Sequence, residues 1–178
     1  MLALIVLILT GVTLVTTLFS CVSDVKSMRI PNMHSLIIAA AFLVAFAASP
    51  ESFEGKWWYY PAALVAMFAI TFGMFAKGMI GGGDAKLGSA LALWVGLQGL
   101  VPYVFWMAIA GGLLGVASLF IKKSKRFVGL PPENWIAQVQ EGRNAVPYGI
   151  AISFGAWGAL LQTGFLSHQL HELLKIIP

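Results

Sequence analysis

The stretch GMIGGGDAKLGSALALWVG, residues 78–96, places three glycines and one aspartate directly ahead of an apolar run. A carboxylate at the mouth of such a run, behind backbone that carries no side chains, is the pattern of a membrane helix with a charged group at its boundary. The rest of the chain has the same character. Of its 178 residues 59% are hydrophobic and 10% charged, with mean hydropathy +0.86. Soluble domains carry about a quarter charged residues, so the chain is expected to be an all-α, polytopic membrane protein. The net charge of +4 does not indicate a nucleic-acid partner, because the basic residues fall between apolar segments and carry topology instead. The single cysteine, Cys21, can build neither a disulfide framework nor a Cys-based zinc site, and is expected to be a small apolar residue near a helix end.

Six apolar segments are expected to span the membrane, at Leu2–Val22, His34–Ala48, Tyr59–Ala76, Ala85–Leu100, Tyr103–Ile121 and Val146–Leu166. The second and fourth are short against the roughly 20 residues that a span needs. No internal repeat is visible, and residues 1–178 read as a single transmembrane domain with no separate soluble domain. "LFSC", residues 18–21, is faintly like a lipoprotein cleavage site, but no Lys or Arg precedes the first apolar run, so the N-terminus is expected to be a retained span. With alternating loops, one side receives Lys26, Arg29, Lys77, Lys86, Lys122, Lys123, Lys125, Arg126 and Arg143, and the other only Lys56 and Lys175. That bias puts the first set in the cytoplasm and both termini outside. "KWWYY", residues 56–60, then falls at the outer interface as an aromatic belt. The longest loop, Lys122–Gly149, is cytoplasmic. Its basic cluster suits lipid headgroups, and Trp135 and Ile136 are expected to dip into the interface.

Of seven acidic residues only Asp24 and Asp84 abut apolar segments. Two crossings separate them, so both emerge on one face, near the cytoplasmic boundary. Asp84 can serve as a helix N-cap. Asp24 stands at the negative end of its own helix dipole, where an acid is disfavoured unless Lys26 and Arg29 compensate through water. Ionisable groups at membrane depth are costly and usually functional. Two close carboxylates share a proton, one acting as base and the other as acid. A water between them can then attack a peptide bond, with no cofactor and no metal. Gly81, Gly82 and Gly83 would let a peptide backbone approach closely and tolerate unusual backbone angles. Paired acids also serve a proton- or cation-coupled transporter, the alternative reading. Transporter sites, however, lie at the membrane midplane, often between internal repeats. A third reading is a non-catalytic assembly subunit whose acids only cap helices. Two carboxylates alone make a poor divalent-metal site.

"GGGD", residues 81–84, followed by "AKLGSAL" and preceded by "DVKSMRIPN", residues 24–32, resembles the type IV prepilin peptidase family of GxGD aspartic membrane peptidases. The resemblance implies a leader peptidase of the prokaryotic inner membrane, with Asp24 and Asp84 as the catalytic pair at the cytoplasmic face. Gly81 and Gly83 would be the fixed glycines of the signature. Gly82, Arg29, Asn32 and Lys86 would join them around the substrate, a prepilin with an N-terminal leader and an apolar helix. Long members of the family carry a cysteine-rich zinc segment and also methylate the pilin. Here no CxxC pair exists and the connection after the first segment is short. The N-methyltransferase activity is therefore expected to be absent, and the chain is similar to the short, peptidase-only branch of Flp-type tight-adherence pili. "VPYG", residues 146–149, points the same way. Beside this, Pro31 is expected to fix the first cytoplasmic turn and Asn32 to cap the second span. Lys86 is expected to meet lipid phosphate or the leader. His34 is expected at a cap or the interface, and His168 and His171 on the far side from the acids.

Overall fold

The segment Gly82–Val95 is enclosed by other helices along most of its length. In the computed structural model, which describes residues 2–124 and 127–174, the ordered elements are all helical. They are α1 (Leu2–Ser27), α2 (Asn32–Ala48), α3 (Tyr59–Ala76), α4 (Gly82–Val95), α5 (Leu100–Lys123), α6 (Trp135–Gln140), α7 (Tyr148–Gln162) and α8 (Phe165–Leu174), with one 3-10 turn at Pro50–Ser52. Helix α4 is the axis of the bundle. Asp84, Ala85 and every residue from Leu87 to Val95 are buried, against α2, α3, α5 and α7. Lys125, Arg126 and Lys175, three members of the charge bias, lie outside the described residues.

Among the described residues three helices are long and apolar enough to cross a membrane: α1 from Leu4, α3 and α5. A fourth is reached if the bent pair α7 and α8 is one span. The expected count of six is therefore not supported. Helix α2 has 17 residues, α4 14 and α7 15, and at about 1.5 Å per residue α4 covers only ~21 Å of a ~30 Å hydrocarbon layer. The sixth expected segment is broken rather than continuous. After Thr163 the chain turns through Gly164 at φ +77°, a left-handed angle that glycine takes without steric cost, and α8 leaves at 56° to α7. The third segment is found as expected, and the fifth, at Leu100–Lys123, is longer by less than a turn at each end. The fourth begins three residues early, at Gly82, and stops at Val95.

Between helices in lipid the hydrophobic effect supplies little, so close approach and hydrogen bonds must hold the bundle. Helices α5 and α7 meet across small residues. A Cβ added to Gly155 would lie 2.7 Å from the Tyr103 carbonyl oxygen and 2.8 Å from Met107 Cβ. Tyr103 donates its hydroxyl to the Gly88 carbonyl at 3.3 Å, and Trp94 Nε1 donates to the Ile38 carbonyl at 3.1 Å. An aromatic cluster closes the end of the bundle away from Asp84. There Phe42 meets Phe53 at 5.5 Å and Trp94 at 5.8 Å between ring centroids, and Phe53 meets Phe165 at 5.6 Å. The KWWYY stretch divides here. Trp57 and Trp58 are exposed, but Tyr60 is 2% exposed and belongs to the core. The long loop departs further from expectation. Trp135 is buried rather than interfacial. Its Nε1 donates to the Ala145 carbonyl at 3.0 Å, and with Val139 and Ile136 it packs against Met28 and Leu114.

Candidate active site

Asp24 occupies the last turn of α1 and Asp84 the first turn of α4. They are 4% and 9% exposed, so each carboxylate must be satisfied by the protein. Asp24 Oδ2 accepts from the Gly149 backbone N–H at 2.8 Å, from 125 residues further along the chain. Gly149 lies in the first turn of α7. An orphan N–H and the positive end of a helix dipole therefore face Asp24. Asp84 Oδ2 accepts from the Gly81 N–H at 2.8 Å. Gly81 is the N-cap of α4, and Asp84 stands three residues on, so it is not the cap itself. It reaches back to the cap as the acidic half of a capping box. Its other oxygen, Oδ1, is buried without a hydrogen-bond partner among the described residues. Two helix N-termini thus hold two buried carboxylates, each through one oxygen.

The connection that leads from Asp24 into α2 is braced at nearly every residue. The Met28 N–H donates to the Asp24 carbonyl at 2.8 Å, and Met28 takes φ +52°, uncommon for a residue with a Cβ. Ser23 donates its hydroxyl to the Arg29 carbonyl at 2.7 Å. Ile30 is 9% exposed and touches both halves of the site. A Cβ on Gly83 would meet Ile30 O at 3.0 Å and its Cβ at 3.1 Å. A Cβ on Gly149 would meet Ile30 Cδ1 at 3.0 Å and Asp24 Oδ2 at 3.0 Å. Asn32 begins α2 with Pro31 as the N-cap and makes no cap hydrogen bond. In place of the expected cap, its Oδ1 accepts from Lys86 Nζ at 2.9 Å, which ties the connection to the first turn of α4.

Of the three glycines, Gly81 and Gly83 serve space rather than torsion. Gly81 is at φ −77°, and the positive angle in this turn belongs to Gly78, at φ +70°. A Cβ on Gly81 would stand 3.0 Å from Asp84 Oδ2, and one on Gly82 only in ordinary contact with Phe75. Arg29 is exposed, with its backbone alone engaged in the connection. His34 stands in the first turn of α2. Its Nδ1 lies 2.9 Å from Ser20 Oγ and joins α1 to α2. His168 and His171 are in α8, whose Gln169 donates to the Ser52 carbonyl at 3.0 Å, at the end of the bundle away from the acids.

Sequence reasoning missed Gly149, Ile30 and Ser153 as parts of the site. Ser153 donates to the Gly149 carbonyl at 2.5 Å and accepts from Cys21 Sγ at 3.2 Å, so Cys21 is engaged one turn before Asp24. The available signal was "VPYG", whose glycine sits opposite Asp24. Two buried carboxylates that shared one proton would act as acid and base on a single water. A sequence model of the Type IV leader peptidase family matches residues 11–116, more than half of the chain. The match holds Asp24, the braced connection and Asp84, and it ends before α7. No curated protein and no solved structure matches the chain.

Proposed function

The chain belongs to the type IV leader peptidase family, and from that premise we propose that it removes the leader of Flp-like prepilins with Asp24 and Asp84 as its catalytic dyad. In this reading the ionised member takes a proton from a water as its oxygen attacks the scissile carbonyl carbon. The protonated member gives its proton to the carbonyl oxygen. Collapse of the tetrahedral adduct breaks the C–N bond, and the leaving amine takes back a proton from the dyad. Repulsion between two buried acids keeps one of them protonated, as the step needs. The observation that carries the reading is the pair itself: two buried carboxylates, each anchored through one oxygen by a helix N-terminus, with Asp84 Oδ1 left without a partner among the described residues.

The substrate is a prepilin whose apolar helix lies beside the enzyme in the bilayer. Its charged leader stays at the cytoplasmic face of a prokaryotic inner membrane, where the basic loops and both acids are. Gly81, Gly82, Gly83, Arg29, Asn32 and Lys86 would line the path of the leader. No cofactor takes part, and methylation of the trimmed pilin is not expected. Co-expression with a Flp-type prepilin tests the reading by the size of the pilin on a gel. Asp24→Asn and Asp84→Asn are each expected to lower leader removal by on the order of 10²–10⁴-fold while the protein stays in the membrane. Full processing by either variant would overturn the dyad.

A further inference from the structure

Ile30 lies against both carboxylate-bearing parts of the site at once. Its backbone and Cβ abut Gly83, the residue before Asp84, and its Cδ1 abuts Gly149, which donates to Asp24. Nothing larger than glycine fits at either contact without displacing Ile30 or a neighbour. The contact at Gly83 is to backbone oxygen as well as side chain, so it cannot give way by rotation of a χ angle alone. The flanking residues cannot drift either. Met28 is packed under Trp135 and Val139, the Arg29 carbonyl is held by Ser23, Pro31 fixes its own φ, and Asn32 is held by Lys86. The short connection between α1 and α2 is thus a rigid spacer with one side chain projecting between two helix N-termini.

We propose that Ile30 is a positioning residue that sets the separation of the Asp24 and Asp84 carboxylates. The proposal rests on the reading of those acids as a dyad. It adds that the spacing is fixed by a residue that touches neither the water nor the scissile bond. Shortening the spacer lets α4 and α7 approach, and lengthening it drives them apart. Either change alters how strongly the charge of one carboxylate bears on the proton of the other. The chemical step is sensitive to such shifts, because misplacement by about 1 Å costs on the order of 10²-fold in rate.

The test is leader cleavage by purified wild type and by Ile30→Val, Ile30→Ala and Ile30→Phe, with kcat and KM measured across pH on a Flp-type prepilin in detergent. Ile30→Ala and Ile30→Phe are expected to lose tenfold or more in kcat with KM within about twofold, the signature of an effect confined to the transition state. The width of their pH profile is expected to change as well. Ile30→Val, which removes only the Cδ1 atom that abuts Gly149, is expected to fall between wild type and Ile30→Ala in kcat and in the shift of its profile. Leu91→Ala, a core truncation in α4 two turns past Asp84, controls for stability and is expected to lower the melting temperature with kcat and pH profile unchanged. Wild-type kcat and an unshifted profile in Ile30→Ala would overturn the proposal. So would a loss in the Ile30 variants that Leu91→Ala reproduces at a matching drop in melting temperature. If wild type itself leaves the leader on, or Asp24→Asn removes it, the reading of the dyad fails instead, and the two failures are told apart.

Discussion

At Gly149 a methyl group would lie 3.0 Å from Asp24 Oδ2, 3.2 Å from Asp24 Cβ and 3.0 Å from Ile30 Cδ1. Those atoms are buried and hold the site, so room can be made only by moving the carboxylate or the helix end that donates to it. Gly149→Ala is therefore expected to reduce leader cleavage by on the order of 10²-fold with the amount of membrane-inserted protein unchanged, measured by pilin processing beside an immunoblot of the membrane fraction. Gly73→Ala is the matched contrast. Its methyl would meet no atom within 4 Å, and cleavage is expected to stay within about twofold of wild type, since a side chain added in open space carries little strain. The two glycines are alike as letters in the chain, and only their neighbours separate them.

Among the elements, the contact of α5 with α7 is the tightest in backbone terms. Gly155 would drive a Cβ to within 2.9 Å of the Met107 backbone nitrogen and 2.7 Å of the Tyr103 oxygen, and neither atom is at the end of a flexible side chain. Gly155→Ala is expected to destabilise the protein by about 1–3 kcal/mol, the usual cost of overpacking, read as a lowered melting temperature in detergent. On α5 itself, a methyl at Gly112 would have no atom within 4 Å of it. Gly112→Ala is expected to be neutral or to stabilise by about 0.5–1 kcal/mol, because alanine loses less backbone entropy in a helix. The same logic explains why α7 ends in a bend. Past Thr163 the backbone requires the positive φ of Gly164, and α8 turns to seat Gln169 on Ser52.

For the whole molecule, the ends of the bundle differ in charge and in chemistry. Lys26, Arg29, Lys77, Lys86, Lys122 and Lys123 gather where the two acids are, and Lys56 stands at the aromatic end. In a Cys21→Ser background, an impermeant maleimide added to intact cells is expected to label Lys56→Cys, and to label Lys26→Cys only after the membrane is opened. Labelling in the reverse order would invert the assigned sidedness. A dyad that shares one proton also predicts a bell-shaped pH dependence of leader cleavage. At low pH both carboxylates are protonated and no base remains. At high pH both are ionised and no acid remains, so kcat/KM falls on each side of an optimum. A rate that rises to a plateau with pH would leave only a base at work.

Composition and the run of apolar residues determine an all-helical membrane protein, because a chain with a tenth of its residues charged cannot clothe a water-facing surface. That Asp24 and Asp84 stand at the ends of apolar segments is equally a property of the linear chain, and so is the glycine run beside Asp84. The length of each helix was not fixed in that way. Hydropathy does not mark where α4 stops at Val95 or where α7 breaks, because both ends depend on glycine torsions and on partners elsewhere. Nor could the chain order reveal that Gly149 donates to an acid 125 positions earlier, that Asn32 binds Lys86 rather than capping its helix, or that Ile30 stands between two glycines. Those are long-range contacts made by single atoms. They exist only once α1, α4 and α7 are packed together, and no periodicity in the sequence encodes them.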